Sequence, residues 1–306
     1  MSLLVVIGGP TASGKTSLAI EVAQHFGTHV INADSRQFYR EMRIGNARPT
    51  EEELAAAPHH FVADRSVTTP LTAGTFAEEA LPLLSKLFEQ HNILVLAGGS
   101  GLYINALCTG LNDFPTVSKE AKRHVATLME EGGLPALQEQ LAQLDPIYFS
   151  KVDQQNPRRL QRALEVCISA QQPYSSFLGG QQERPFGVAY FTTYKVAMQS
   201  VGSRTVDTNR TALYDRINRR VDLMFQEGLE EEARSLYPHR NLPALQTVGY
   251  QELWPYFEGA YDLAEAIELI KRNTRRYAKR QITWFGKGDQ YVFAPNLRVI
   301  LNQIKK

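Results

Sequence analysis

The run Gly9-Pro10-Thr11-Ala12-Ser13-Gly14-Lys15-Thr16 constrains this chain more than any other. It follows Leu3-Leu4-Val5-Val6-Ile7, an apolar stretch that reads as a buried parallel strand. After it, Leu18, Ala19, Val22, Ala23 and Phe26 recur at helical spacing. Strand, glycine-rich loop and helix in that order give a G-x-x-x-x-G-K-[ST] match its meaning. The glycines let the backbone curl until its N–H groups converge, and with the helix N-terminus they make a nest for a diphosphate. Lys15 adds a positive charge for phosphate oxygens, and Thr16 offers a hydroxyl to Mg²⁺. Gly9 to Thr16 are thus the candidate diphosphate contacts of a P-loop, with Thr16 the candidate metal ligand.

A second short strand is expected over 29–33, ending at Asp34-Ser35-Arg36-Gln37. Residues just past strand carboxyl ends line the ligand crevice of an open parallel sheet. Asp34 could therefore face the phosphate loop, or it could serve as a cap or turn residue, which Asp also favours. Glu51-Glu52-Glu53 reads as the acidic first turn of a short helix. His59 and His60 are adjacent, a poor arrangement for two ligands on one metal, and read as loop or packing residues. A helix over 74–90 precedes a second strongly apolar strand over 93–97. That strand lacks a terminal Asp and runs into Gly98-Gly99-Ser100-Gly101-Leu102-Tyr103, glycines that signal close backbone approach or a tight turn.

Beyond Pro115 no strand-like run occurs until Val188-Ala189-Tyr190-Phe191. Helices are expected instead over 118–131, 134–144 and 157–170, the last opening on Asn156-Pro157 as cap and first helical residue. The expected architecture is therefore α/β: a P-loop-containing parallel sheet flanked by helices, with an inserted all-helical domain. The expected divisions are 1–114 and 186–306 for the core and 115–185 for the insert. The last third reads as helices over 210–227 and 262–285. Six of the ten residues from Lys271 to Arg280 are cationic, with Tyr277 among them and Trp284 and Phe285 beyond. Such a run is either a nucleic-acid surface or a solvated helix face.

Charge and cysteines narrow the class. The net charge of the 306 residues is +1, so no partner follows from bulk electrostatics. Cys108 and Cys167 form no C-x-x-C pair and no His/Cys cluster, which fits a reducing compartment without zinc or disulfides. The N-terminal apolar run leads directly into the loop and reads as a strand, not a signal peptide. No apolar run reaches membrane-spanning length, so a cytoplasmic protein without a membrane partner is expected.

Seven separated motifs now add a resemblance. They are Gly8 to Thr16, Asp34-Ser35-Arg36-Gln37, Gly98 to Tyr103, Arg162-Ala163-Leu164-Glu165-Val166, Leu213-Tyr214-Asp215-Arg216-Ile217, Gly249-Tyr250-Gln251-Glu252, and Thr274 to Trp284. In content and order they resemble the bacterial tRNA dimethylallyltransferases, and they span nearly the whole chain. Ser100 stands where that family usually has Thr, Arg36 and Phe38 replace Met and Val, and Asn46 and Arg48 alter a Gly-Thr-Ala-Lys-Pro run.

The resemblance implies transfer of a dimethylallyl group from dimethylallyl diphosphate to the exocyclic amine of the adenosine next to the anticodon. The loop then holds a leaving diphosphate, helped by Arg216 and by Mg²⁺ on Thr16. Asp34 is expected to be the base and Gln37 to read the adenine edge. Ser35, Arg36 and Ser100 join them at the tRNA side. The insert is expected to grip the anticodon stem-loop through Arg123 and the run Arg158, Arg159, Leu160, Gln161 and Arg162, while Arg275, Arg276, Lys279 and Arg280 meet RNA phosphate. A monomer is expected. The competing expectations are a small-molecule kinase that uses the same loop on ATP and a non-catalytic RNA-binding module.

Overall fold

A computed structural model describes residues 2–180, 182–201, 204–287 and 290–305. The chain divides into two compact units, a core of Met1–Cys108 with Arg184–Lys306, and an insert of Thr109–Glu183.

The strands of the core are β1 (Leu3–Gly8), β2 (Val30–Asn32), β3 (His59–His60), β4 (Ile93–Gly98), β5 (Gly187–Thr192), β6 (Met198–Val201), β7 (Arg204–Asp207) and β8 (Val292–Phe293). Six form one parallel sheet in the order β3-β2-β4-β1-β5-β8. Strand β1 lies at the centre, paired with β4 and β5, and alternates between two cores. Leu4 and Val6 face one, with Ile31, Phe76 and Leu96, while Val5 and Ile7 face the other, with Leu18, Val22 and Val95. All four of those β1 side chains are fully buried, which is why the strand reads as an unbroken apolar run.

Core helices α1 (Lys15–Phe26), α2 (Glu51–Ala56), α3 (Ala73–Phe88) and α4 (Gly101–Cys108) precede the insert. The insert holds α5 (Lys119–Leu144), α6 (Pro146–Phe149) and α7 (Pro157–Ala170). The core resumes with α8 (Thr208–Gln226), α9 (Leu229–Leu236), α10 (Leu253–Phe257), α11 (Leu263–Phe285) and α12 (Leu297–Ile304). Helix α5 is broken at Gly133 (φ 61°, ψ −155°), so it comprises the two helical stretches that the sequence separates at 131–134. Helix α7 has the bounds read from the Asn156-Pro157 signal, and the Asn156 side chain accepts from Arg159 N.

The structure adds α4, α6, α9, α12, β8 and the antiparallel β6–β7 hairpin to the sequence reading. It also corrects one reading: His59 and His60, expected as loop or packing residues, form the edge strand β3, because their backbone pairs with Val30 and Ile31 of β2. The insert has its own small core of Val125, Leu137, Leu141, Leu160, Ala163, Leu164 and Cys167. Among the described residues no helix is long and apolar enough to cross a membrane. Both cysteines are buried and free.

Candidate active site

Helix α1 begins without a side-chain cap, as α9 does at Gly228 (φ 98°). Helices α2, α3, α5, α7, α8, α11 and α12 each start on a side chain that accepts a backbone N–H of the first turn. At α1 the N-cap is Gly14 (φ 86°), which has no side chain to offer. No N-cap side chain meets the first-turn N–H groups at the positive end of the helix, an arrangement that favours an anion. Two residues earlier Ala12 is held at φ 60°, a left-handed conformation that costs a residue with a Cβ about 1 kcal/mol or more.

Contacts from distant elements hold that conformation. Gln281 of α11, 4% exposed, accepts from Thr11 N (2.9 Å) and donates to Gly99 O (2.9 Å). Arg216 Nε donates to Ala12 O (2.9 Å), and Arg220 Nη1 lies 3.5 Å from Thr11 Oγ1. Ser13 Oγ donates to Pro10 O (2.7 Å) and lies 2.6 Å from Thr193 Oγ1. Gly98 and Gly99 explain themselves here, because a Cβ on Gly98 would collide with the Ala33 backbone and one on Gly99 with Gln281. The glycine signal at 98–101 is close approach.

Lys15 Nζ donates to Pro10 O (2.7 Å), so the ammonium lies back against its own loop. Burial lowers its pKa from 10.5 to about 8. Asp34 opposes that shift, while Arg220 and Arg36 add to it. Three cations share one small region, which favours an anion of more than one charge.

A cavity of about 470 Å³ runs from this loop to the ends of β2 and β4. Lys15, Thr16, Asp34, Gln37, Asn46 and Arg220 all line it. Asp34 fills both of the roles left open for it. Its Oδ1 accepts Arg36 N (3.2 Å) in a local turn, and the residue also borders the cavity beside the loop. Its own N–H donates to Asn32 Oδ1 (3.1 Å), fixing the strand end.

The Arg36 guanidinium lies over the Tyr277 ring at 4.8 Å, with Nε 3.9 Å from Asp34 Oδ1. Gln37 Nε2 donates to Ala47 O (2.9 Å), so its donor side is occupied by protein. Ser100 Oγ accepts from Ser35 N (3.0 Å) and so shapes the turn after β2. Among the described residues no group of three or more His, Cys, Asp or Glu side chains could hold a metal unaided. Thr16, which lines the cavity beside Lys15, offers a hydroxyl oxygen of the kind that Mg²⁺ takes alongside phosphate and water.

A family model described as IPP transferase matches residues 37–288, most of the chain. The chain belongs to the IPP transferase family. The chain is 48% identical over 305 residues to a protein of Christiangramia forsetii named tRNA dimethylallyltransferase, covering 99% of this chain and 97% of that one. Among solved structures it is similar to the full-length tRNA isopentenylpyrophosphate transferase of Bacillus halodurans, at 33% identity and TM-score 0.68, covering 99% of this chain and 94% of that one. It is also similar to a eukaryotic dimethylallyltransferase acting on tRNA, at 25% identity and TM-score 0.77, covering 97% of this chain and 75% of that one.

The cationic residues of the chain divide. On the insert, Arg123, Arg158, Arg159 and Arg162 are exposed and Gln161 is half-buried, and the Arg162 guanidinium lies over the Phe114 ring (5.7 Å). Leu160 is fully buried in the insert's own core, so its side chain is removed from the expected RNA contacts. On α11, Arg276, Lys279 and Arg280 are exposed. Arg275 instead donates to Asn218 Oδ1 (2.6 Å), and Lys271 pairs with Asp222 (2.8 Å) and Glu268 (3.1 Å). The sequence reading of the site lacked Arg220, Thr193 and Gln281. Arg220 alone left a signal: it follows Arg216 by one helical turn and so shares its face.

Proposed function

We propose that this chain transfers a dimethylallyl group from dimethylallyl diphosphate to the exocyclic amine of the adenosine next to the anticodon of tRNA, releasing pyrophosphate. The observation that carries this reading is an uncapped helix start ringed by Lys15, Arg216 and Arg220, opening on the cavity that Asp34 also lines. Membership of the IPP transferase family supports it.

The diphosphate sits on the Gly9–Thr16 backbone and the first turn of α1. The adenine amine attacks C1 of the prenyl group. The C1–O bond breaks, its electron pair stays on the pyrophosphate, and the amine proton passes to the Asp34 carboxylate. The amine is a weak nucleophile, because its lone pair is delocalised into the ring, and a base within hydrogen-bond reach lowers that barrier. Lys15, Arg216 and Arg220 stabilise the charge that develops on the leaving group. Mg²⁺, held on the protein side by Thr16, would add Lewis-acid stabilisation of that same charge. Gln37 and Ser35 border the adenine, which must leave its stack to enter. The exposed arginines of the insert and of α11 meet RNA phosphate.

A kinase reading has nothing in its favour beyond the loop itself. Incubating the protein with Mg²⁺, bulk tRNA and dimethylallyl diphosphate, followed by mass analysis of the nucleosides, tests the proposal. An adenosine heavier by one dimethylallyl group is the expected product. Phosphoryl transfer from ATP in place of prenylation, or no product with either donor, would refute it.

A further inference from the structure

The motif Gly249-Tyr250-Gln251-Glu252 has no part in the chemistry above, yet Tyr250 is the largest fully buried side chain among the described residues. Its hydroxyl donates to Glu232 Oε1 (2.6 Å) on α9. Burial first, and the adjacent Glu232 carboxylate second, raise the Tyr250 pKa well above its ordinary 10, so this hydroxyl keeps its proton. Glu232 in turn accepts three consecutive backbone N–H groups: Arg43 N (2.8 Å), Ile44 N (2.8 Å) and Gly45 N (3.0 Å). A carboxylate in such a ring of donors is a strong, directional clamp.

The clamped segment borders the cavity through Ile44, Asn46 and Ala47. Ala47 is held at φ 51°, a conformation its Cβ disfavours. Its carbonyl is the acceptor for the Gln37 amide (2.9 Å), and the Asn46 side chain donates to Arg36 O (2.6 Å). None of the Glu232 bonds reaches the phosphate loop. We infer that Glu232, with Tyr250 behind it, is a positioning residue for Gln37: it fixes the 43–47 segment whose carbonyl sets the Gln37 amide for the incoming adenine. This role rests on Gln37 being an adenine contact, as proposed above.

The test is a double-mutant cycle on the full chain, using an anticodon stem-loop RNA and dimethylallyl diphosphate, with product followed by mass spectrometry. Glu232→Gln keeps the shape but turns an NH₂ toward backbone N–H groups. It should lower kcat/KM for the RNA by about tenfold, leave the KM for the diphosphate donor within about twofold, and add less than about twofold to the loss caused by Gln37→Ala. Tyr250→Phe, a milder change in case Glu232→Gln folds poorly, should give the same pattern with a smaller loss. Equal losses in both backgrounds, or a donor KM that rises with the RNA KM, overturn the role. A wild-type protein that makes no product in this assay overturns the proposed function instead.

Discussion

Gln281 should be the residue whose loss most clearly couples stability to donor binding. It is a single amide, 4% exposed, that joins Thr11 N of the phosphate loop, 270 residues before it, to Gly99 O. Gln281→Leu keeps nearly the same volume and removes both bonds. A buried donor or acceptor left unpaired costs about 1–3 kcal/mol. Because Thr11 is half-buried and water can partly replace its partner, a total near 2–4 kcal/mol is expected. For a chain of this size each kcal/mol lowers Tm by about 2–4 °C, so the core should melt roughly 4–16 °C lower.

The same bond also holds Thr11 in the cradle, next to the left-handed Ala12. Releasing one backbone residue costs about 1–2 kcal/mol to reorder on binding, so pyrophosphate should bind about fivefold or more weakly. Calorimetric melting and titration with pyrophosphate measure both quantities on one sample. A Tm within about 1 °C of wild type, together with unchanged pyrophosphate affinity, would show that the loop is held by other means and refute the reasoning.

Asp34→Asn should lower turnover by at least about 10²-fold while RNA binding stays nearly intact, and near-normal turnover would remove it from the base role. Since the Lys15 pKa is lowered to about 8, pyrophosphate affinity should weaken as pH rises through that value, because the ammonium becomes neutral. Titrations from neutral pH upward check this, and Lys15→Ala should abolish the step. Charge reversal at Arg276 and Arg280, which are exposed, should flatten the salt dependence of RNA binding, whereas an unchanged slope would mark a solvated face.

The core strands were legible because β1 and β4 are buried on both faces, which forces runs of apolar residues that nothing else in the chain matches. Helix α7 was legible because Asn156 and Pro157 mark its start chemically. Helices α9 and α12, at eight residues each, are too short for a periodic pattern to stand out. The phosphate loop was visible as a local motif, but what holds it was not. Gln281 sits in a helix whose cations dominate any reading, and nothing in its neighbours announces a partner 270 residues away. The same blindness mixed Leu160 with the arginines around it, although its burial follows from the stripe it shares with Ala163, Leu164 and Cys167.

One junction has a wider meaning. The Arg184 guanidinium donates to Leu107 O (2.8 Å) and Ala106 O (2.9 Å) at the end of α4, and Gln182 N donates to Thr109 O (2.9 Å) on the insert's side. The chain thus leaves the α/β core and re-enters it at one doorway, riveted on both sides. For the sheet, the excursion from 109 to 183 is little more than a turn, so its helices can be lengthened, exchanged or lost in evolution without disturbing a single strand pairing.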